Sequence, residues 1–452
     1  MSFQTGLSGL SASGRSLDVI GHNIANANTT GMKSSRTEFS AMYSSALGYG
    51  SANNVGIGVE VASVAQQFTQ GSISTTGNGL DVAINGGGFF QLKQSDGTSA
   101  YTRDGSFKMD KDGYIKTNNG ANLMGYPTDV SGVPTSATIQ KLQLPTSAPI
   151  EAKSTDNVRL RLNLDARAQV AAGDNTAVPP IPPTPRSTYG TSVDVYDAQG
   201  LASPINLYFE KDAAANTWNV FGGIDIPASA GPPAIAAVTY PSLGQITFDS
   251  SGHIIAPANP SATNLPPPDF ALELVGGTIP SLNPNDQTAP GVNGFLAQTI
   301  LLDLGTFKPD GTIDGVSQYG TNFAVSDLTQ DGYTSGELIG VNIGEDGVVA
   351  ARYSNGQTQS AGQVALADFR NVQGLTPLGG NAWAESFASG LPVQGSPSVG
   401  RFGALRSGAL EDSNVDLTVE LVNMMTAQRS YQANAQTIKT QDQIMSTLVN
   451  LK

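Results

Sequence analysis

The segment from Asn414 to Lys452 limits the possible folds most. Along NVDLTVELVNMMTAQRSYQANAQTIKTQDQIMSTLVNLK, the positions Leu417, Leu421, Met424, Gln428, Tyr431, Ala435, Ile438, Asp442, Met445 and Val449 step by four and three. That is a heptad line with two polar interruptions, Gln428 and Asp442, and no Gly or Pro breaks it. Ser413 or Asn414 is placed to cap the helix, with Asp416 in the first turn. At about 1.5 Å per residue such a helix reaches about 60 Å. The first residues keep the same step in Phe3, Leu7, Leu10, Gly14, Leu17, Gly21, Ile24 and Asn28. Two terminal seams of one period predict a coiled pair of helices, with the rest of the chain hung between them. Val415, Val419 and Val422 add a second apolar stripe to the C-terminal helix, and a helix apolar on two adjoining faces needs more than one neighbour. Glycines thin the N-terminal seam, at about 1 kcal/mol each relative to alanine. Periodicity alone leaves two arrangements open: a helical hairpin packed on the chain's own core, or ends that order only on self-assembly.

Charge favours the second. The net charge is −14, yet residues 1–36 and 411–452 carry small charges of opposite sign that cancel, so the acidic excess lies in the middle. An acidic middle with nearly neutral ends suits a polymer with its ends inside, and it argues against nucleic acid, which requires a basic surface. Only 13% of residues are charged while Gly (52) and Pro (26) are abundant, as in a turn-rich β protein. The absence of cysteine removes disulfides and thiolate metal sites. No apolar run is long enough to span a bilayer, so no membrane insertion is expected. The N-terminus lacks the basic-then-apolar pattern of a secretory signal, which predicts a cytoplasmic chain or export by a route without a cleaved signal.

Between the helices the sequence reads as β-structure. The first helix is expected to end in Asn26–Gly31, and residues 31–71 read as extended chain and short strands. From Leu80 to Tyr126 short alternating strands are punctuated by Asn85-Gly86, Asp96-Gly97, Asp104-Gly105, Asp112-Gly113 and Asn119-Gly120. The style returns at Asp331-Gly332, Asp346-Gly347 and Asn355-Gly356. A second β region from Thr191 alternates Val193, Val195, Leu207, Phe209, Trp218 and Val220, with Pro-rich segments before and within it. The expected fold is mixed α and β: long terminal helices in a coiled pair, with nested, mainly antiparallel β domains between them. The expected boundaries are 1–30 with 411–452 for the helical domain, 31–71 with 376–410 for connecting chain, 72–145 with 321–375 for an inner β domain, and 146–320 for an outer one.

Candidate chemistry is thin. Asp110-Lys111-Asp112-Gly113 resembles part of a calcium loop without its remaining ligands, and a hairpin turn explains it better. Gly86-Gly87-Gly88 is not followed by the helix start that phosphate binding needs. His22 and His253 are the two histidines, and neither has an acidic cluster or a cysteine beside it in sequence. A structural protein is expected, with no catalytic, cofactor or metal site. A glycan-binding or glycan-cleaving outer domain stays open, because a two-carboxylate site is invisible in one sequence.

At this level the residues resemble a family. The run Leu17-Asp-Val-Ile-Gly-His-Asn-Ile-Ala-Asn-Ala-Asn-Thr-Thr-Gly-Met-Lys33 is similar to the N-terminal signature of bacterial flagellar rod and hook axial proteins, carried by Asn23, Asn26, Asn28, Thr29, Thr30 and Gly31. Leu80–Phe90, Tyr101–Phe107 and Asp112–Tyr114 resemble their shared β domain. Ser413–Leu417, Glu420–Met425, Ala427–Asn434 and Thr440–Gln443 are closest to the hook branch, as are Thr191–Gly200 and Asn216–Trp218 of the large insertion. Met32 departs from the pattern, where an aromatic is usual. The resemblance implies a curved, flexible tube acting as a universal joint between the motor's rod and the filament. It implies self-assembly through the helical seams (Phe3, Leu7, Leu10, Leu17 and Ile24 with the C-terminal positions above). Implied partners are further copies of the chain, rod proteins, a cap protein, hook–filament junction proteins and the flagellar type III export apparatus, with residence in the extracellular flagellum. A distal rod protein with an enlarged insertion is the nearest alternative.

Overall fold

The computed structural model describes residues 2–43, 56–145, 149–170, 172–174, 181–184, 189–223, 242–258, 270–275, 299–308 and 312–450. Two compact units emerge, one from residues 1–148 with 338–452 and the other from 149–337.

The first unit holds both helices found among the described residues, α1 (Ser2–Ala25) and α2 (Leu417–Asn450). The Asn- and Thr-rich run after Ala25 stops α1 where turn-forming side chains compete with helix hydrogen bonding. Asp416, rather than Ser413 or Asn414, caps α2: its Oδ1 accepts from the Thr418 N–H (2.8 Å) and the Val419 N–H (3.2 Å). The strands Ser35–Tyr43 and Gly56–Gln66 pair antiparallel and lie against α1, where the Ser8 hydroxyl accepts from the Val59 N–H.

The β body of this unit is a sheet with thirteen strands among the described residues, all of whose pairings are antiparallel. Turns at Asp96-Gly97, Asp112-Gly113, Asn119-Gly120, Asp346-Gly347 and Asn355-Gly356 join paired strands, as their chemistry predicts. Asn85-Gly86, Asp104-Gly105 and Asp331-Gly332 do not. Val82–Asn85 pairs with Ala404–Ser407, and Phe89–Lys93 pairs with Ser99–Thr102. The intervening glycines let a distant segment approach instead: the Gly403 N–H donates to the Gly87 carbonyl, and a Cβ on Gly86 would lie 2.9 Å from the Gly403 Cα. Residues 376–410, expected to be connecting chain, carry five short strands: Thr376–Gly379 and Ala382–Ala384 form a hairpin, and Ala382–Ala384, Ala404–Ser407 and Ala409–Glu411 pair with strands far away in sequence. Strands of three or four residues are too short for alternation to show. Under the sheet, Phe68, Phe89, Tyr101, Phe369 and Trp383 meet edge to face.

The second unit stacks two sheets over one core. A five-stranded antiparallel sheet (strands Gly190–Tyr196, Ala202–Lys211, Thr217–Gly223, Ser242–Phe248 and Ile254–Ala256) shares its apolar face with a sheet built around Asn157–Asp165 and Thr299–Phe307, two strands that run parallel. Leu160, Leu162, Leu164, Leu207, Phe209, Trp218, Ile246 and Ile300 fill the space between them. Trp218 is fully buried, and its indole N–H donates to the Gln318 side chain at 3.1 Å. Residues 321–337, assigned from sequence to the inner domain, belong here: Ala324–Gln330 pairs antiparallel with Asn157–Asp165. A strand's own residues do not say which of two sheets it will join; the partner decides.

Candidate assembly interface

Both terminal helices run antiparallel and touch through small residues. A Cβ on Gly6 would meet Ile438 Cγ1 at 3.1 Å, one on Gly9 would meet the Asn434 amide at 2.8–3.0 Å, and near the other end Asn23 Nδ2 donates to Glu420 Oε1 (3.0 Å). This contact face overlaps the seam read from sequence only in part, at residues such as Ile438. Leu10, Leu17, Ile24, Met424 and Ile438 are half-buried, whereas Phe3, Leu7, Leu417, Leu421, Gln428, Tyr431, Asp442 and Met445 are exposed. Gly14 and Gly21, placed in the seam from sequence, have nothing near their Cβ positions. The Val449 side chain lies outside the described residues. Backbones approach most closely over glycine, which is why the small residues take the inner face and the large apolar ones are left outward. Leu421 (51% exposed) and Met445 (55%), with Val419, Val422 and Met425, make α2 apolar on a surface its own chain does not cover.

The signature run holds the roots of the helices on the β body. Asn23 is buried; its amide also donates to the Ser35 carbonyl and accepts from the Ser35 N–H. Asn26 turns back on His22, and Asn28 is exposed. Thr29 donates to the Asn26 side chain, at 3.4 Å. Thr30 donates to Asp104 (3.1 Å), and its carbonyl accepts from Asn381 (2.7 Å). Gly31 has φ +69° and donates to the Glu411 carbonyl; a Cβ there would come within 2.5 Å of the Asp104 nitrogen, so only glycine fits. Met32 is buried.

Sequence reasoning missed the charges beneath this junction. Lys33, Arg103 and Glu411 form a buried cluster in which Glu411 accepts from Lys33 Nζ, Arg103 and the Gly71 N–H. Lys33 also donates to the Thr69 carbonyl and Arg103 to the Gly86 carbonyl, and the Arg103 guanidinium lies 5.3 Å from the Phe89 ring centre. Burial lowers the Lys33 amine, opposed by the Glu411 carboxylate beside it, and burial lowers Arg103 in the same way. Asn414 completes the junction, donating to the Gln67 and Thr69 carbonyls and accepting from the Ser34 N–H. Partners hundreds of residues apart leave no local signal. Elsewhere the chemistry is that of turns: Asp110 accepts from the Asp112 and Tyr114 N–H groups and pairs with Lys116, which holds its carboxyl below the usual range. Among the described residues, no cluster of His, Cys, Asp and Glu could hold a metal ion.

Four family descriptions match along the chain: flagella basal body rod protein at 3–33, flagellar hook protein FlgE/F/G D1 domain at 83–156, flagellar basal body protein FlaE D2 domain at 163–333, and flagellar basal body rod FlgEFG protein C-terminal at 406–451. The flagellar hook protein FlgE of Salmonella typhimurium is 39% identical over the whole of both chains, and that of Escherichia coli 38%. The chain belongs to the flagellar hook protein family. The Treponema pallidum hook protein is 32% identical, covering 99% of this chain and 98% of its own. The crystal structure of Helicobacter pylori flagellar hook protein FlgE2 shares the fold over 75% of this chain and all of its own, with a TM-score of 0.51 at 14% identity. A hook-family chain is a structural subunit of the flagellar axial structure.

Proposed function

We propose that this chain assembles with copies of itself into the flexible tube of the hook, and that the outward apolar stripe of α2 with Phe3 and Leu7 of α1 forms the contact between subunits. The exposure of Leu417, Leu421, Met425 and Met445 on a helix of 34 residues carries this reading. Burying each such side chain is worth about 1.5–3 kcal/mol, and monomers rarely leave a stripe of this kind uncovered. In the assembled state the helices supply the coiled contacts, with Gln428 and Asp442 setting register, since a polar seam position specifies pairing at some cost in stability. The junction at Asn23, Gly31, Lys33 and Glu411 passes load from the helices into the β body of the same unit. A tube that transmits torque while bending needs strong contacts along its core and weak ones outside, and the acidic excess between the ends limits sticking there. The implied partners are rod proteins, the cap and hook–filament junction proteins and the type III export apparatus, with residence in the extracellular flagellum. Match of residues 163–333 to the D2 description and full-length similarity to hook proteins favour a hook subunit over a distal rod protein. Electron microscopy of the purified, concentrated chain tests the reading: curved tubes are expected, and straight rigid rods or persistent monomers would overturn it.

A further inference from the structure

A second surface of the first unit is also built for contact. Phe387 stands fully exposed at the tip of a turn that is itself firmly held. Buried Ser389 donates back to the Ser386 carbonyl, the Ser386 hydroxyl donates to the Gly374 carbonyl, and Asn371 donates to the Ala388 carbonyl (3.0 Å). A phenyl ring fixed outward by its backbone loses little freedom on binding, which is how aromatic anchors of interfaces work. Leu391 and Val393, also exposed, follow it.

The same unit offers a recess of about 650 Å³. It is lined by Leu92, Ala100 and Ala121, which are buried, by the exposed Leu378, and by polar residues including Thr102, Asn119 and Asn381. Its acidic member, Asp104, already accepts from Thr30 and from the Ser106 N–H and hydroxyl, so its charge is engaged, while the exposed Leu378 offers an inserted side chain an apolar contact. The strand Ala382–Ala384 connects the two features: Asn381 and Ala382 line the recess at its start, and the chain leaving its end reaches Phe387. A projection and a recess at opposite ends of one strand cannot meet within a chain that holds both rigidly. They can meet between successive copies, and an open helical assembly propagates through such unlike, head-to-tail surfaces.

The geometry points to Phe387 as a side-chain anchor that enters the Leu92/Ala100/Ala121 recess of another copy of this chain. The proposal rests on the self-assembly reading but concerns a contact separate from the helical stripe. For the test, full-length chain carrying Phe387→p-benzoylphenylalanine is mixed with isotope-labelled unmodified chain, assembled, irradiated and mapped by mass spectrometry. Adducts joining the two isotopic forms within 92–121 or 378–382 are expected. Tubes whose adducts fall elsewhere, or only within one copy, would overturn the anchor and leave the tube reading standing; failure of the unmodified chain to form tubes would overturn both. Independently, Phe387→Ser should raise the critical concentration for assembly about tenfold or more, as the loss of one buried phenyl implies, with unchanged thermal unfolding of the monomer. An unaltered critical concentration would count against the anchor even if the photoreactive variant were poorly tolerated.

Discussion

The β body and the last helix of the first unit treat apolar side chains in opposite ways. In the sheet Phe90, Leu92, Phe107, Ile115 and Leu123 are all buried, with a few polar side chains such as Gln91, Thr102 and Gln363 buried among them. On α2, Leu417, Leu421, Val422, Met425 and Met445 are exposed, while Asn434 and Ala427 face inward. The sheet covers most of its hydrophobic surface with its own chain; the last helix leaves a run of apolar side chains that the chain itself does not cover. A helix that is apolar outward lacks a core of its own; on the self-assembly reading proposed above, its sequence answers to assembly, whereas the sheet's answers to folding. The sharpest way to break this contrast is to place charge on the stripe. Leu421→Asp with Met425→Asp should abolish tube formation, raising the critical concentration at least a hundredfold, because two carboxylates would have to be desolvated at every contact. The thermal unfolding of the β body should not shift. Tubes from this variant, seen by electron microscopy, would show that the stripe is not the contact.

The buried charges at the root of the helices belong with the sheet, so their loss should act on folding first. Glu411→Ala leaves Lys33 and Arg103 as two uncompensated buried cations and should cost about 3–5 kcal/mol, measured by denaturant unfolding of the monomer. Lys33→Met should cost less, because Arg103 still pairs with Glu411 and the lost amine already suffers from burial. Equal effects from the two substitutions would show that the cluster does not depend on its single anion.

These elements also show what could be read from the sequence. Turn chemistry placed most hairpins, because Asp-Gly and Asn-Gly pairs act locally through φ > 0 and side-chain to backbone bonds. It failed at Asn85-Gly86, where Gly87 and Gly403 bring a strand from far along the chain, and at Asp104-Gly105 and Asp331-Gly332, whose flanking strands pair elsewhere. Heptad spacing found both helices and marked Leu421, Tyr431 and Met445 on one apolar line, but left open whether its partner is the chain's own helix or another copy. Periodicity marks an apolar line without naming its partner, and Gly6 and Gly9, which make the actual helix contact, carry no hydrophobic signal. The Lys33–Arg103–Glu411 cluster was illegible for the same reason as strand Ala324–Gln330: each depends on partners that only the fold brings near.

Four carboxylates of the second unit, Asp165, Asp212, Asp249 and Asp331, are held below their usual range, and Asp331 is the most buried of them. Asp331 is half-buried, which by itself would raise its pKa, but its carboxyl accepts from the Asp156 and Asn157 N–H groups and pairs with Lys153, and the net direction is downward. A depressed carboxylate contributes stability that is complete above its unfolded value, near 3.9, and is lost as pH falls through the folded value. The unfolding temperature of the wild-type second unit should therefore drop below about pH 4, and Asp331→Asn should flatten that drop while lowering stability at neutral pH. An acid response unchanged by the substitution would place the sensitive group elsewhere.

The smallest expected effect separates two glycines of α1 that composition treats alike. Gly14 has open space where a Cβ would stand, so Gly14→Ala should gain helix propensity, up to about 1 kcal/mol, at no steric cost. At Gly9 the added carbon would sit 2.8–3.0 Å from the Asn434 amide, so Gly9→Ala obtains the same propensity only if Asn434 swings away from the helix contact. Circular dichroism of the monomer should show α1 melting later in Gly14→Ala and not in Gly9→Ala. If both variants melt alike, the two helices do not meet through Gly9 in the free subunit, and the close approach belongs to the polymer alone.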